Sequence, residues 1–179
     1  GALKNTGFEI DLKGTLIHTR DFMWRMGVNL THYKNVVTDL PLKDMPVTGV
    51  TRLKEGRSVY DFYLREWVGV DPDNGDPLWY KNVKDEQGNI TGRTTTNDYA
   101  QADYYYVDKS SLPKVYGGFN TAFSYKGFEL SAIFAYSIGG YIVDRDVTML
   151  WSNGSNPGRA WSTEILKRWT PENRYTDVP

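Results

Sequence analysis

The chain has 179 residues, no cysteine, 24% charged and 15% aromatic residues, and a formal net charge of −1. So even a balance does not imply a nucleic-acid or anionic-membrane partner, and the lack of thiols excludes a disulfide framework. No run of about 18 or more apolar residues occurs, which excludes a helical membrane span.

Gly1-Ala2-Leu3-Lys4 lacks the hydrophobic segment of a signal peptide, so the start is expected to be a boundary inside a longer chain. Residues 1–35 then predict an antiparallel hairpin. Phe8, Ile10, Leu12 and Leu16 alternate with Glu9, Asp11, Lys13 and Thr15, and Thr19-Arg20-Asp21 makes a turn. The return arm sets Phe22, Trp24, Met26, Val28 and Leu30 against Met23, Arg25, Gly27, Asn29 and Thr31. Successive strand side chains point to opposite faces. Glu9, Asp11, Lys13 and Arg25 therefore all lie opposite the apolar rows.

Residues 36–112 form a connection far longer than compact domains use. It holds an aromatic strand–turn–strand near residues 60–81, in which Trp67 to Tyr80 should fold as a small hairpin turning at Asp73-Asn74-Gly75. The acidic run there fails as an EF-hand: Gly75 stands one place early and Asn82 occupies the position of the bidentate glutamate. Residues 85–89 read as a second turn and 91–111 as a polar loop carrying Tyr104-Tyr105-Tyr106.

The second hairpin spans residues 113–144 around a tight Lys126-Gly127 turn, pairing about 115–125 with 128–143. Val115, Phe119, Thr121, Phe123 and Tyr125 share one face of the first arm, and Phe128, Leu130, Ala132, Phe134, Tyr136 and Ile138 one face of the second. Glu129, Ser131, Ile133, Ala135 and Ser137 take the other face. Gly117-Gly118 lacks the following helix of a phosphate loop and is expected to permit bending or close backbone approach. Residues 145–179 are expected to be a loop, flexible at SNGSNPGR, with a short helix over 163–169 stopped before Pro171.

Two environments suit such hairpins. In a soluble sandwich the apolar face is the core; in an outer-membrane barrel it meets lipid and the polar face lines the lumen. Arms of about ten residues or more are long enough to cross a bilayer when tilted. Aromatics sit toward both ends of the apolar rows, and short turns alternate with very long connections, as in a barrel with periplasmic turns and extracellular loops. The expected fold is all-β: antiparallel β-hairpins of a transmembrane β-barrel, incomplete in this chain, with long extracellular loops at 36–112 and 145–179. Glu9, Asp11, Lys13, Arg25, Glu129 and Ser131 would face the lumen. Trp67, Trp79, Tyr80, Tyr104, Tyr105 and Trp151 would be ligand- or partner-contact candidates in the loops. The alternative is a soluble all-β module binding carbohydrate or peptide through those aromatics.

No catalytic constellation emerges. The only histidines, His18 and His32, lie on different strands, and the carboxylates form no recognisable acid–base pair. No cofactor or metal is expected, and the chain does not read as an enzyme. Asn29, Asn89 and Asn153 match N-x-[ST], without meaning in a bacterial outer-membrane protein.

Four segments together carry a family resemblance: NTGFEIDL, Trp67 to Tyr80 (WVGVDPDNGDPLWY), YGGFNTAFSYKGFELSAIFAYSIGG, and Arg168 to Asn173 (RWTPEN). The chain resembles the SusC/RagA family of TonB-dependent outer-membrane transporters, in its late-barrel region. The resemblance implies a plugged barrel of the cell outer membrane that imports oligosaccharides or peptides. It also implies a SusD-like surface lipoprotein as lid, and TonB acting through an N-terminal region outside this sequence. The plug and energy-coupling box are absent from these residues, as is a closing strand. About 22 strands close such a barrel, so this segment would not transport alone.

Overall fold

A computed structural model of the chain describes residues 1–43, 45–151 and 157–179. Strands β1 (Ala2–His18), β2 (Phe22–Asp39), β3 (Asp61–Arg65), β4 (Trp67–Val70), β5 (Pro77–Lys84), β6 (Ile90–Thr96), β7 (Tyr104–Ser110), β8 (Val115–Tyr125) and β9 (Phe128–Ile138) precede the short helix α1 (Arg145–Leu150) and a 3₁₀ turn at Thr163–Lys167. The chain divides into two compact units, one of residues 1–62 and 108–141, the other of 63–107 and 142–179.

The first unit is built on a four-stranded antiparallel sheet in the order β1-β2-β8-β9. Its register brings the rows read from the sequence onto common faces. Ile10, Leu30 and Gly117 are linked by successive pairings; so are Leu12, Val28, Phe119 and Phe134. Opposite them, Asp11, Asn29, Gly118 and Ala135 align, as do Lys13, Gly27, Asn120 and Ile133. A slip of one residue in either hairpin would exchange the faces of the slipped strand, and the tight turns fix the register within each hairpin. Lys126 (φ 46) and Gly127 (φ 89) both sit in the left-handed region, as a two-residue loop matched to strand twist requires. Thr19 closes the other turn through Phe22, and the Lys126 amide donates to the Asp21 carbonyl at 3.0 Å, joining the two turns.

The apolar face has no core beneath it. Leu12, Phe128 and Leu130 are 66%, 81% and 69% exposed, and Phe134 is 54% exposed. Among the described residues of this unit, burial is confined to Gly27, Asn35 and Val37 of β2 and Phe62 at the start of β3. A sandwich would cover that face with a second sheet; here none of the described residues does so. Cross-strand aromatic contacts run along it instead. Trp24 stacks on Phe123 at 5.5 Å and Phe119 on Phe134 at 5.7 Å, while the Trp24 indole N–H is satisfied by Thr121 Oγ1 at 2.9 Å.

Several expectations are corrected. Leu16 does not continue the apolar row: a bulge between Thr15 and Ile17 places Ile17 opposite Trp24, because the extra residue shifts the alternation by one. The last strand stops at Ile138 rather than at 143, where Gly139 (φ 77) and Gly140 (φ 80) turn the chain away. Residues 91–111 are not a polar loop but supply β6 and β7. The aromatic run entering the small hairpin is divided at Glu66: β3 pairs with β7, and only β4 pairs with β5. The stretch after Val143 opens with α1, whose Asp144 side chain caps the Val147 amide at 3.0 Å. Asn153 and most of SNGSNPGR lie outside the described residues.

Candidate functional site

In the second unit β4, β5 and β6 form a three-stranded sheet, with Trp67 opposite Trp79 and Trp79 opposite Thr96. The 71–76 turn between β4 and β5 holds itself. The Asp71 amide bonds the Asp76 carbonyl at 2.8 Å, and the Asp71 carboxylate accepts from the Asp73 amide at 2.9 Å. Gly75, at φ 83, supplies the positive φ that closes it.

Aromatic rings and arginines form a continuous ladder on this sheet and the adjoining residues. Trp79 meets Trp67 edge-on at 5.6 Å and Tyr99 edge-on at 5.1 Å. The Arg65 guanidinium lies 4.2 Å from the Tyr99 ring centroid and 4.6 Å from that of Tyr104, and its Nε donates to the Ala102 carbonyl at 3.1 Å. Tyr63 stacks on Tyr104 at 5.5 Å and lies 4.7 Å from Tyr106. A parallel set places Arg93 over Tyr105 at 4.0 Å and Tyr80 at 5.5 Å, anchored to Glu66 at 3.1 Å. The Tyr105 hydroxyl donates to Asn82 Oδ1 at 2.8 Å. Burial, then the Asp103 carboxylate, push its phenol above the usual value, with Arg93 opposing.

Trp67, Trp79, Tyr80, Tyr104 and Tyr105 are thus brought together. Trp151 is not: it caps α1 through its backbone amide and, among the described residues, makes no ring contact with the ladder. Trp67 and Tyr99, 40% and 53% exposed, offer open ring surface, whereas Trp79 is wedged between them. Tyr63, Tyr99, Arg65 and Arg93 were not singled out by sequence, and Tyr106 only as the last member of the 104–106 cluster. Arg65, two positions before Trp67, and Arg93, within a threonine strand, carry the faint signal of a cation set among aromatics.

The polar face of the first unit gathers the other candidates. Arg25 reaches past Ala122 to Glu129 at 3.3 Å, and Lys13 bonds Asp11 at 2.9 Å. Both pairs are well exposed and contribute little to stability. Glu9 and Ser131 share that face, Glu9 opposite Thr31 and Ser131 opposite Ala122. Gly27 is buried there because Asn120 lies over it; a Cβ would stand 2.7 Å from Asn120 Nδ2.

With these two faces and the loop ladder defined, comparison with known proteins is decisive. The chain is 27% identical over 192 residues to TonB-dependent receptor P3 and 28% identical over 195 residues to TonB-dependent receptor P26, both of Formosa agariphila, and all of it is covered in each alignment. The chain is similar to a segment of these TonB-dependent receptors. It spans 19% of the length of those curated relatives. A solved structure of the RagAB peptide transporter superposes with a TM-score of 0.83 and 30% identity over 99% of this chain and 20% of that one. The closed-closed state of the RagAB peptide importer superposes at 0.79 with 31% identity. No protein-family model matches the chain. The all-β architecture, the open sheet edges and the bare apolar face are consistent with this likeness to a segment of a larger barrel.

Proposed function

We propose that the chain is part of an energy-coupled importer in the cell outer membrane. The observation that carries this is the four-stranded sheet with one uncovered apolar face and one polar face, continuous across both hairpins. The apolar face meets lipid, and Glu9, Asp11, Lys13, Arg25, Glu129 and Ser131 face the lumen or its plug. The tight turns lie on the periplasmic side, and residues 36–112 and 145–179 lie outside. A SusD-like lipoprotein closes over those loops, and TonB couples through a region beyond this sequence. The substrate is an oligosaccharide or a peptide; the name of the RagAB peptide transporter supports peptide. Trp67 and Tyr99 are the open rings best suited to contact it.

Membrane placement is tested by substitution in the full-length protein. An arginine on the lipid face near the midplane costs about 2–4 kcal/mol, so Phe134→Arg should impair assembly far more than Ser131→Arg. Equal assembly of the two would refute it. Uptake of labelled oligopeptides against labelled oligosaccharides by cells carrying the protein assigns the substrate class.

A further inference from the structure

Residues 165–179 fold back on themselves. The Trp169 amide donates to the Val178 carbonyl at 2.8 Å, the Asn173 side chain to the Lys167 carbonyl at 2.9 Å, and Thr176 Oγ1 to that same carbonyl at 2.6 Å. Val178 is buried. This closed segment sits on the 71–76 turn. Trp169 Nε1 and Arg174 Nε both donate to the Pro72 carbonyl, at 3.2 and 2.9 Å, filling its two lone pairs, and Arg174 also pairs with Asp73 at 3.1 Å. The indole covers Gly75 so closely that a Cβ there would stand 2.8 Å from Trp169 Cδ2 and Cε3. The exposed ion pair alone would hold little. Shape does more: the turn needs a glycine for its φ, and the indole occupies the space that glycine leaves.

We infer that residues 167–178 are a strap latched onto the 71–76 turn. Two segments 97 residues apart at the Trp169–Pro72 contact thereby move as one body, and the strap fixes the hairpin that presents Trp67 and Trp79. It transmits displacement of either segment to the other without passing through the sheet of the first unit. The device stands on contacts within the second unit and holds whether or not the whole protein imports anything.

Hydrogen exchange read by mass spectrometry on the full-length protein tests it. Trp169→Ala should speed exchange at both 71–76 and 167–178 on the order of tenfold, with β1, β2, β8 and β9 unchanged. Gly75→Ala should do the same, and should add less in the Trp169→Ala background, where the new methyl meets no indole. Gly88→Ala is the control for backbone strain alone, since Gly88 shares the same φ (84) and has no atom within 4 Å of its Cβ position. It should loosen only its own turn. The latch is overturned if Trp169→Ala leaves 71–76 exchanging at the wild-type rate, or if Gly75→Ala loosens 71–76 while 167–178 stays protected.

Discussion

The Tyr136 hydroxyl donates to the backbone carbonyl of Asn29 at 2.8 Å, reaching from β9 across β8 to β2. It passes over Gly117, its own cross-strand partner, where a Cβ would stand 2.1 Å from the Asn29 oxygen and 2.7 Å from the hydroxyl. The Asn29 side chain accepts from the Gly118 amide at 2.8 Å, so Asn29 ties β2 to β8 through its side chain and to β9 through the Tyr136 hydroxyl. A glycine in a strand marks such close approach.

Tyr136→Phe should therefore cost about 0.5–1.5 kcal/mol, one net hydrogen bond. Gly117→Ala should cost more, about 1–3 kcal/mol, because its methyl meets backbone that has no room to move. Urea unfolding of the refolded protein measures both. A Gly117→Ala variant as stable as wild type would show that the approach is not obligatory.

The loop ladder predicts a division of labour between two tryptophans. Trp79→Ala removes edge contacts to Trp67 and Tyr99, about 0.5–1.5 kcal/mol each, and should speed exchange across β4 and β5 while lowering uptake. Trp67→Ala leaves the Trp79–Tyr99 contact in place and should lower uptake with much less loosening of the hairpin. Uptake unchanged in Trp67→Ala would reduce the open indole to scaffold.

Two turns should loosen in acid. Hydrogen bonds from the Asn89 side chain and backbone hold the Asp85 carboxyl below its usual range, and those from the Gln101 side chain and the Ala100 amide do the same for Asp98. Groups with depressed folded values stabilise above the unfolded value of ~4 and lose that contribution as pH falls through the lower folded one. Amide exchange at 85–89 and 98–101 should rise selectively as pH drops below ~4, after correction for intrinsic rates. Asp85→Asn should remove the pH dependence of the first turn alone. Tyr105 behaves oppositely. Its phenol is neutral and bonded to Asn82 at neutral pH, and because its value is raised that contribution is lost only as pH rises beyond ~10.

The parity of Phe119, Phe134, Leu12 and Val28 was legible because a period of two is written in side-chain polarity and needs no partner to be seen. Their alignment within each hairpin followed from the short turns, whereas the β2–β8 register that joins the hairpins is set by tertiary pairing. The bulge after Thr15 was not legible, since Leu16 and Ile17 are equally apolar and either continues the row. β6 escaped because Ile90-Thr91-Gly92-Arg93-Thr94-Thr95-Thr96 has no apolar alternation; it is a strand because β5 pairs with it. Tyr99 and Arg65 joined the site through tertiary stacking, which sequence spacing does not encode. Trp151 looked equivalent to Trp67 as an aromatic in a long loop, yet no neighbouring strand carries it to the ladder.

The central claim is that the sheet is a membrane wall with lipid on one face. Single spin labels at positions 130 to 135 of the full-length protein in bilayers, probed with lipid-soluble and water-soluble relaxation agents, test it most directly. Labels at 130, 132 and 134 should be reached by the lipid-soluble agent, and labels at 131, 133 and 135 by water or by protein contact. Accessibility without alternation, or an even row shielded from both agents by a second sheet, would contradict it.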